Sequence, residues 1–199
     1  MSFRKERKYW LTISDQKLLK KNLTLTGMKE LHPARTINSC YFDNNTFSMF
    51  RNSEEGVLPR KKIRVRWYDN QSVSNKETKI SSIEGRFKII EKFSKLNLLK
   101  DNYNIQMIDS LYGILKPSLI VSYIREYYII KDLRITFDSY INYTDLRHLS
   151  NTKYPDYNNV VEVKTPIYIA DDYIEKIINH PTSRFSKYSR GLLIADRQI

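Results

Sequence analysis

Taken two residues at a time, the stretch 60–69 separates cleanly. Lys62, Arg64, Arg66 and Tyr68 fall on one side, and Ile63, Val65 and Trp67 on the other. β-Branched and aromatic residues alternating with polar ones predict a strand. Its polar side carries three cations in a row, about 6.6 Å apart by strand geometry. Like charges on one strand face repel unless an anion lies across them. An anion-binding strand and a solvated basic face are both open on this stretch alone.

The same alternation marks several other stretches. Residues 3–13 place Arg4, Glu6 and Lys8 together. Ser14 or Asp15 then reads as an N-cap, with 17–21 as a short helix. Residues 22–34 are polar and end in His32-Pro33, a loop by composition. Residues 35–43 predict a strand closing on Asp43, and Asn44 a cap for a helical turn through Phe50 and Arg51. Residues 53–56 read as a turn. Beyond the basic strand, 69–71 predicts a hairpin turn. Strands follow at 74–80, with Glu77 and Lys79, and at 84–90, with Arg86 and Lys88.

From 91 to 116 the spacing turns helical, through Phe93, Leu96, Leu99, Ile105, Ile108, Leu111 and Leu115. Asp101-Asn102 splits it into two helices, and Pro117 ends the second. Residues 118–130 predict a long apolar strand carrying Arg125. Residues 133–143 return as a strand with Arg134, Thr136 and Asp138 on one face. Residues 144–157 read as irregular, and 159–164 as a last strand that sets Glu162 and Lys164 against Val161 and Val163. Helices are expected at 170–179 and 185–195.

Seven or eight strands joined by short turns, with helices between some of them, predict an α+β antiparallel sheet. If the apolar faces look outward against helices, the charged faces line a closed or nearly closed barrel of about eight strands, and one domain spans residues 1–199. Such an interior needs an anion along its length, and phosphate chains suit Arg forks and Lys point charges. A single-layer sheet with a basic outer face, as nucleic-acid binders have, would interleave aromatics among the cations. Trp67, Phe87 and Phe137 fall on the opposite face, so no nucleic-acid partner is expected.

Charge and composition sharpen this. A net charge of +12 favours polyanionic partners. The single cysteine, Cys40, rules out an internal disulfide framework and a cysteine-based zinc cluster. The opening residues lack a signal-peptide apolar run, and no apolar run is long enough to span a membrane. A cytoplasmic location is the expectation.

Eight short stretches carry a resemblance: RKERKYW at 4–10, SCYFDN at 39–44, RKKIRVRWY at 60–68, KETK at 76–79, SYIREYY at 122–128, RITFD at 134–138, VVEVK at 160–164 and RFSKYSRGL at 184–192. In this order they resemble the VTC domain, the catalytic module of the vacuolar transporter chaperone polyphosphate polymerase. That family belongs to the CYTH-like triphosphate tunnel metalloenzymes. The resemblance implies an antiparallel β-tunnel that binds ATP or another triphosphate, or inorganic polyphosphate, with Mn²⁺ or Mg²⁺. It assigns phosphate contacts and catalysis to Lys8, Arg64, Arg66, Lys79, Arg125 and Lys187, and metal ligation to Glu162 and Glu6. Lys62, Arg86, Lys88, Arg134 and Lys164 are further phosphate-binding candidates. The implied activity is transfer of the γ-phosphate of ATP to a polyphosphate chain. A triphosphatase and a non-catalytic polyphosphate-binding module are the alternatives. The first strand reads R-x-E-x-K where the wider group has E-x-E-x-K, which leaves the number of metal sites open.

Overall fold

A computed structural model describes residues 4–69, 71, 73–94, 105–148 and 152–197. In chain order the elements are β1 (Arg4–Thr12), α1 (Ile13–Leu25), β2 (Lys29–Asp43), α2 (Ser48–Glu55), β3 (Arg60–Tyr68), β4 (Val73–Ser82), β5 (Gly85–Ser94), β6 (Met107–Asp109), β7 (Gly113–Ile130), β8 (Leu133–Asp145), β9 (Lys153–Pro155), β10 (Asn158–Pro166), α3 (Asp171–Ile178) and α4 (Lys187–Ala195). The main hydrogen-bonded order is β1-β10-β8-β7-β2-β3-β4-β5, with β6 added to β7 and β9 to β8. Every register resolved between partners is antiparallel. The α+β antiparallel expectation holds. Hydrogen bonds do not close the sheet: among the described residues no ladder joins β5 to β1. Alternation along a strand fixes which face is apolar, but it carries no information on whether the two end strands pair.

The chain forms two compact units. One comprises residues 1–36, 123–141 and 155–185, and the other 37–122, 142–154 and 186–199. In the first unit, Tyr9 and Leu11 of β1, Ile135 and Phe137 of β8, and Val161 and Val163 of β10 form one apolar surface. Leu19 and Leu23 of α1 and Ile174 and Ile178 of α3 pack onto it. In the second, Cys40 and Phe42 of β2 and Ile63, Val65 and Trp67 of β3 pack with Met49 of α2 and with Tyr112, Leu115 and Ile120. In both, the alternate positions are left to polar side chains, many of them charged.

Three stretches depart from the sequence expectation. Helix α1 starts earlier and runs longer. Thr12, in extended conformation, is its N-cap and accepts a hydrogen bond from the Asp15 amide at 3.1 Å. Thr12 continues the alternation of β1, which hides it as a cap. The supposed loop 22–34 is divided between the end of α1 and the start of β2, whose first eight residues are mostly exposed and show no apolar alternation. Backbone pairing carries that part of the strand, and side-chain periodicity cannot report it.

The third departure is the predicted helix pair. Leu96, Leu99 and the Asp101-Asn102 break lie outside the described residues, but Phe93 belongs to β5, paired with Ser74 of β4, and the stretch from Met107 is a β6–β7 hairpin in place of a helix. Ile105, Ile108, Leu111 and Leu115 have helical spacing, yet Ile108 is 87 % exposed while Leu115 is buried and pairs with Met107. Asp109 Oδ1 accepts from the Leu111 and Tyr112 amides, and Gly113 takes a positive φ of 71°. That side-chain-capped turn reverses the chain, so Pro117 lies inside β7 and ends no helix.

Candidate phosphate-binding site

In the second unit the β3 register sets Lys62 opposite Lys79, Arg64 opposite Glu77, and Arg66 opposite Asn75. The next ladder sets Lys79 opposite Lys88, Glu77 opposite Ile90 and Ser81 opposite Arg86. Lys62, Arg64, Arg66, Lys79, Arg86 and Lys88 therefore share one face of β3–β4–β5, and Glu77 is the acid those registers place among them. Glu77 is 5 % exposed. Its Oε2 accepts from Arg64 Nε at 2.7 Å and lies 2.6 Å from Arg64 Nη2 and 3.8 Å from Arg66 Nη1. Its Oε1 accepts from Lys88 Nζ at 2.6 Å. Burial pushes this carboxyl up, but Arg64, Arg66 and Lys88 outweigh burial and bring it down to about 2.

β2 supplies the flank of this face. Ser39 stands opposite Arg66, and Tyr41 opposite Arg64. Arg66 Nε donates to Ser39 Oγ at 3.1 Å, and Arg64 Nη1 donates to the Tyr41 hydroxyl at 2.9 Å. Burial pushes the Tyr41 phenol up, yet Arg64, Arg66 and Lys62 bring it down to about 8. A buried phenol lowered this far reports a strong positive potential. Tyr41 stacks on Tyr188 of α4, with ring centroids 4.8 Å apart and planes 14° apart. The Tyr188 hydroxyl donates to Asp43 Oδ2 at 2.8 Å, and Asp43 also accepts from the Met49 and Phe50 amides at the start of α2. Asp43 thus satisfies two first-turn amides of α2, as Asn44 Oδ1 does that of Ser48, and anchors α4. Ser186, the N-cap of α4, accepts from Lys62 Nζ at 2.9 Å and places Lys187 as the first helical residue.

The first unit carries its own cluster. Lys8 stands opposite Glu162, and Glu6 opposite Lys164. Glu162 stands opposite Thr136, and Lys164 opposite Arg134. Glu162, 8 % exposed, lies 2.7 Å from Lys164 Nζ and 3.6 Å from Arg125 Nη2. Burial pushes its carboxyl up, but Arg125, Lys164 and Lys8 hold it well below the usual carboxylate range. Arg125 is gripped by Asp138, Nε to Oδ1 at 2.5 Å and Nη2 to Oδ2 at 2.7 Å. Asp138 is fully buried in mid-strand. Lys8 Nζ donates to the Phe185 carbonyl at 3.1 Å and lies 3.4 Å from Glu6. Arg134 is exposed on the same face.

The residues expected to hold a metal are Glu162 and Glu6. Both lie on the Lys8 face, and each already has a lysine partner. Among the described residues no three His, Cys, Asp or Glu side chains gather into a cage. Two carboxylates beside several cations fit a divalent ion that takes most of its ligands from phosphate oxygens and water, as Mg²⁺ commonly does.

The VTC domain family model matches residues 3–195. The chain belongs to the VTC domain family. No curated protein matches it. Among solved structures, this VTC domain is similar to a Pyrococcus horikoshii protein, PH1819, at 16 % identity and a TM-score of 0.56, over 97 % of this chain and 100 % of that one. A candidate adenylate cyclase of Bacillus halodurans matches at 12 % identity and a TM-score of 0.59, over 93 % and 94 %. A Hippeastrum candidate adenylyl cyclase, described as having a dominant triphosphatase activity, matches at 13 % identity and a TM-score of 0.57, over 99 % and 97 %. At these identities the likeness is one of fold alone. No described helix of the VTC domain is long and apolar enough to cross a membrane.

Proposed function

We propose that this VTC domain is a phosphoryl transferase of the polyphosphate polymerase type, with ATP as donor and an inorganic polyphosphate chain as acceptor. The observation that carries the reading is the β3–β4–β5 face, where Arg64, Arg66 and Lys88 converge on the buried Glu77 carboxylate and Arg64, Arg66 and Lys62 lower the buried Tyr41 phenol. A face so charged calls for a polyanion, and membership of the VTC domain family supports a triphosphate as that polyanion.

In this reading Arg64, Arg66, Lys79 and Lys88 contact phosphate oxygens in the second unit, with Lys62, Arg86 and Lys187 as further contacts. Lys8, Arg125, Arg134 and Lys164 do so in the first. A terminal oxygen of the acceptor chain attacks the γ-phosphorus, the bond from that phosphorus to the β–γ bridging oxygen breaks, and ADP leaves with the electron pair. No side-chain nucleophile is needed, because fixed cations neutralise the charge that spreads over the phosphoryl oxygens and hold donor and acceptor in line. Glu162 and Glu6 would hold Mn²⁺ or Mg²⁺, which when bound would polarise phosphate oxygens. Arg125 keeps its orientation through the Asp138 fork, so its remaining donors stay aimed rather than mobile.

Hydrolysis is the second reading, with water replacing the chain end at the same residues. The triphosphatase activity described for the Hippeastrum protein of the same fold favours it. Incubation of the pure protein with ATP and Mn²⁺, followed by ³¹P NMR, separates the two. Internal-phosphate resonances of a growing chain support the polymerase. ADP with free phosphate alone supports the triphosphatase, and unchanged ATP leaves a binding module.

A further inference from the structure

The Lys8 face of the first unit ends in a feature that phosphate recognition does not use. Trp10 follows Lys8 on the same side of β1, about 6.8 Å along the strand. It is 41 % exposed, whereas the other tryptophan, Trp67, is buried. Its ring faces Phe185 with centroids 6.5 Å apart and planes 26° apart. Contacting aromatic pairs have centroids within about 4.5–7 Å, so this pair sits at the loose end of the range. Tyr41 and Tyr188, at 4.8 Å and 14°, show what a packed pair looks like in the same chain. The backbone around Phe185 is nevertheless held in place. Its carbonyl accepts from Lys8 Nζ, and the Ser183 amide donates to the Lys8 carbonyl at 2.8 Å. A part-exposed aromatic pair, its backbone held in place, thus lies directly beside a lysine assigned to phosphate.

We infer that Trp10 and Phe185 form a subsite for the purine base of a nucleoside triphosphate. The inference rests on the reading of the Lys8–Arg125–Glu162 face as a triphosphate site, and it adds the reason that face would prefer ATP to inorganic tripolyphosphate. Every base offers a π-face, and stacking on an aromatic side chain needs no hydrogen-bond code. A second aromatic group on the unit, Tyr127 with Arg35 and the edge of His32, is a competing platform. There the Arg35 guanidinium already lies 5.8 Å from the Tyr127 ring centre.

Calorimetric titration of the full chain with ATP and with inorganic tripolyphosphate, both with Mg²⁺, tests this. Trp10→Ala weakens ATP binding about tenfold or more, the scale of one lost base stack, and leaves tripolyphosphate within about twofold of wild type. Trp10→Phe retains most of the ATP affinity. In a Trp67→Phe background, ATP quenches the remaining Trp10 emission and tripolyphosphate does not. Equal losses for both ligands in Trp10→Ala, no loss for either, or an ATP-selective loss in Tyr127→Ala alone would each overturn the subsite. A wild-type chain that binds neither ligand refutes the triphosphate reading itself, and the subsite with it. One that binds both, with Trp10→Ala unchanged, refutes the subsite only.

Discussion

Arg64 and Glu77 stand directly opposite each other across β3 and β4, and Glu77 Oε2 lies 2.7 Å from Arg64 Nε and 2.6 Å from Nη2. The same carboxylate holds Lys88 and lies near Arg66. A buried acid serving three cations keeps them parallel and close without neutralising the face. Removing it leaves those cations facing one another. Glu77→Gln is expected to cost about 3 kcal/mol, the scale of breaking a buried ion pair from one side. Tripolyphosphate should then raise the melting temperature more in the variant than in wild type, because the ligand supplies the missing anion. An unchanged melting temperature in both conditions would show that Glu77 does not organise the cluster.

Glu77 also sets an acid limit. Its folded value of about 2 lies below the ordinary 4.5. The depressed value means that its stabilisation is complete above about pH 4.5 and is lost as pH falls toward 2. Denaturant midpoints measured from pH 6 down to pH 2 should show wild type losing stability through that window and Glu77→Gln losing less. Parallel curves would remove Glu77 as the source.

At the alkaline end, Tyr41 ionises near pH 8 and its phenolate competes with phosphate for Arg64 and Arg66. A polyanion disfavours that ionisation, so tripolyphosphate affinity should fall as pH rises through 8. The cations that lower the phenol are Arg64, Arg66 and Lys62. Tyr41→Phe should flatten the affinity profile; a decline that persists in the variant would assign it to another group.

Glu162→Gln should abolish metal-dependent turnover while the circular dichroism spectrum and binding of metal-free tripolyphosphate persist. Retained turnover would remove Glu162 as a metal ligand and leave it as the ion-pair partner of Lys164 and Arg125.

Much of this site is legible from the chain alone. Lys62, Arg64 and Arg66 show themselves through period two, and so do Lys8, Glu162 and Lys164, because a strand fixes side-chain direction locally. Glu77, Asp138 and Tyr41 are not legible in the same way. Their roles depend on which residue stands opposite, and register is set by turns and neighbouring strands. Glu77 appears in sequence as one acid among lysines; only the Arg64 register makes it a hub. Asp138 appears as one polar residue on a strand face until Arg125 is placed beside it. Ile108 and Leu111 show the reverse failure, a helical spacing produced by a hairpin whose turn is made by the Asp109 side chain.

The most direct test of the account is titration of inorganic tripolyphosphate into the wild-type chain and Arg66→Ala, each checked for an intact thermal transition. Arg66 is buried against Ser39 and Glu77, where loss of a charge-assisted contact to phosphate should weaken binding by about 1.5–3 kcal/mol. The same affinity in a folded Arg66→Ala variant would place the triphosphate away from the β3 face and contradict the assignment.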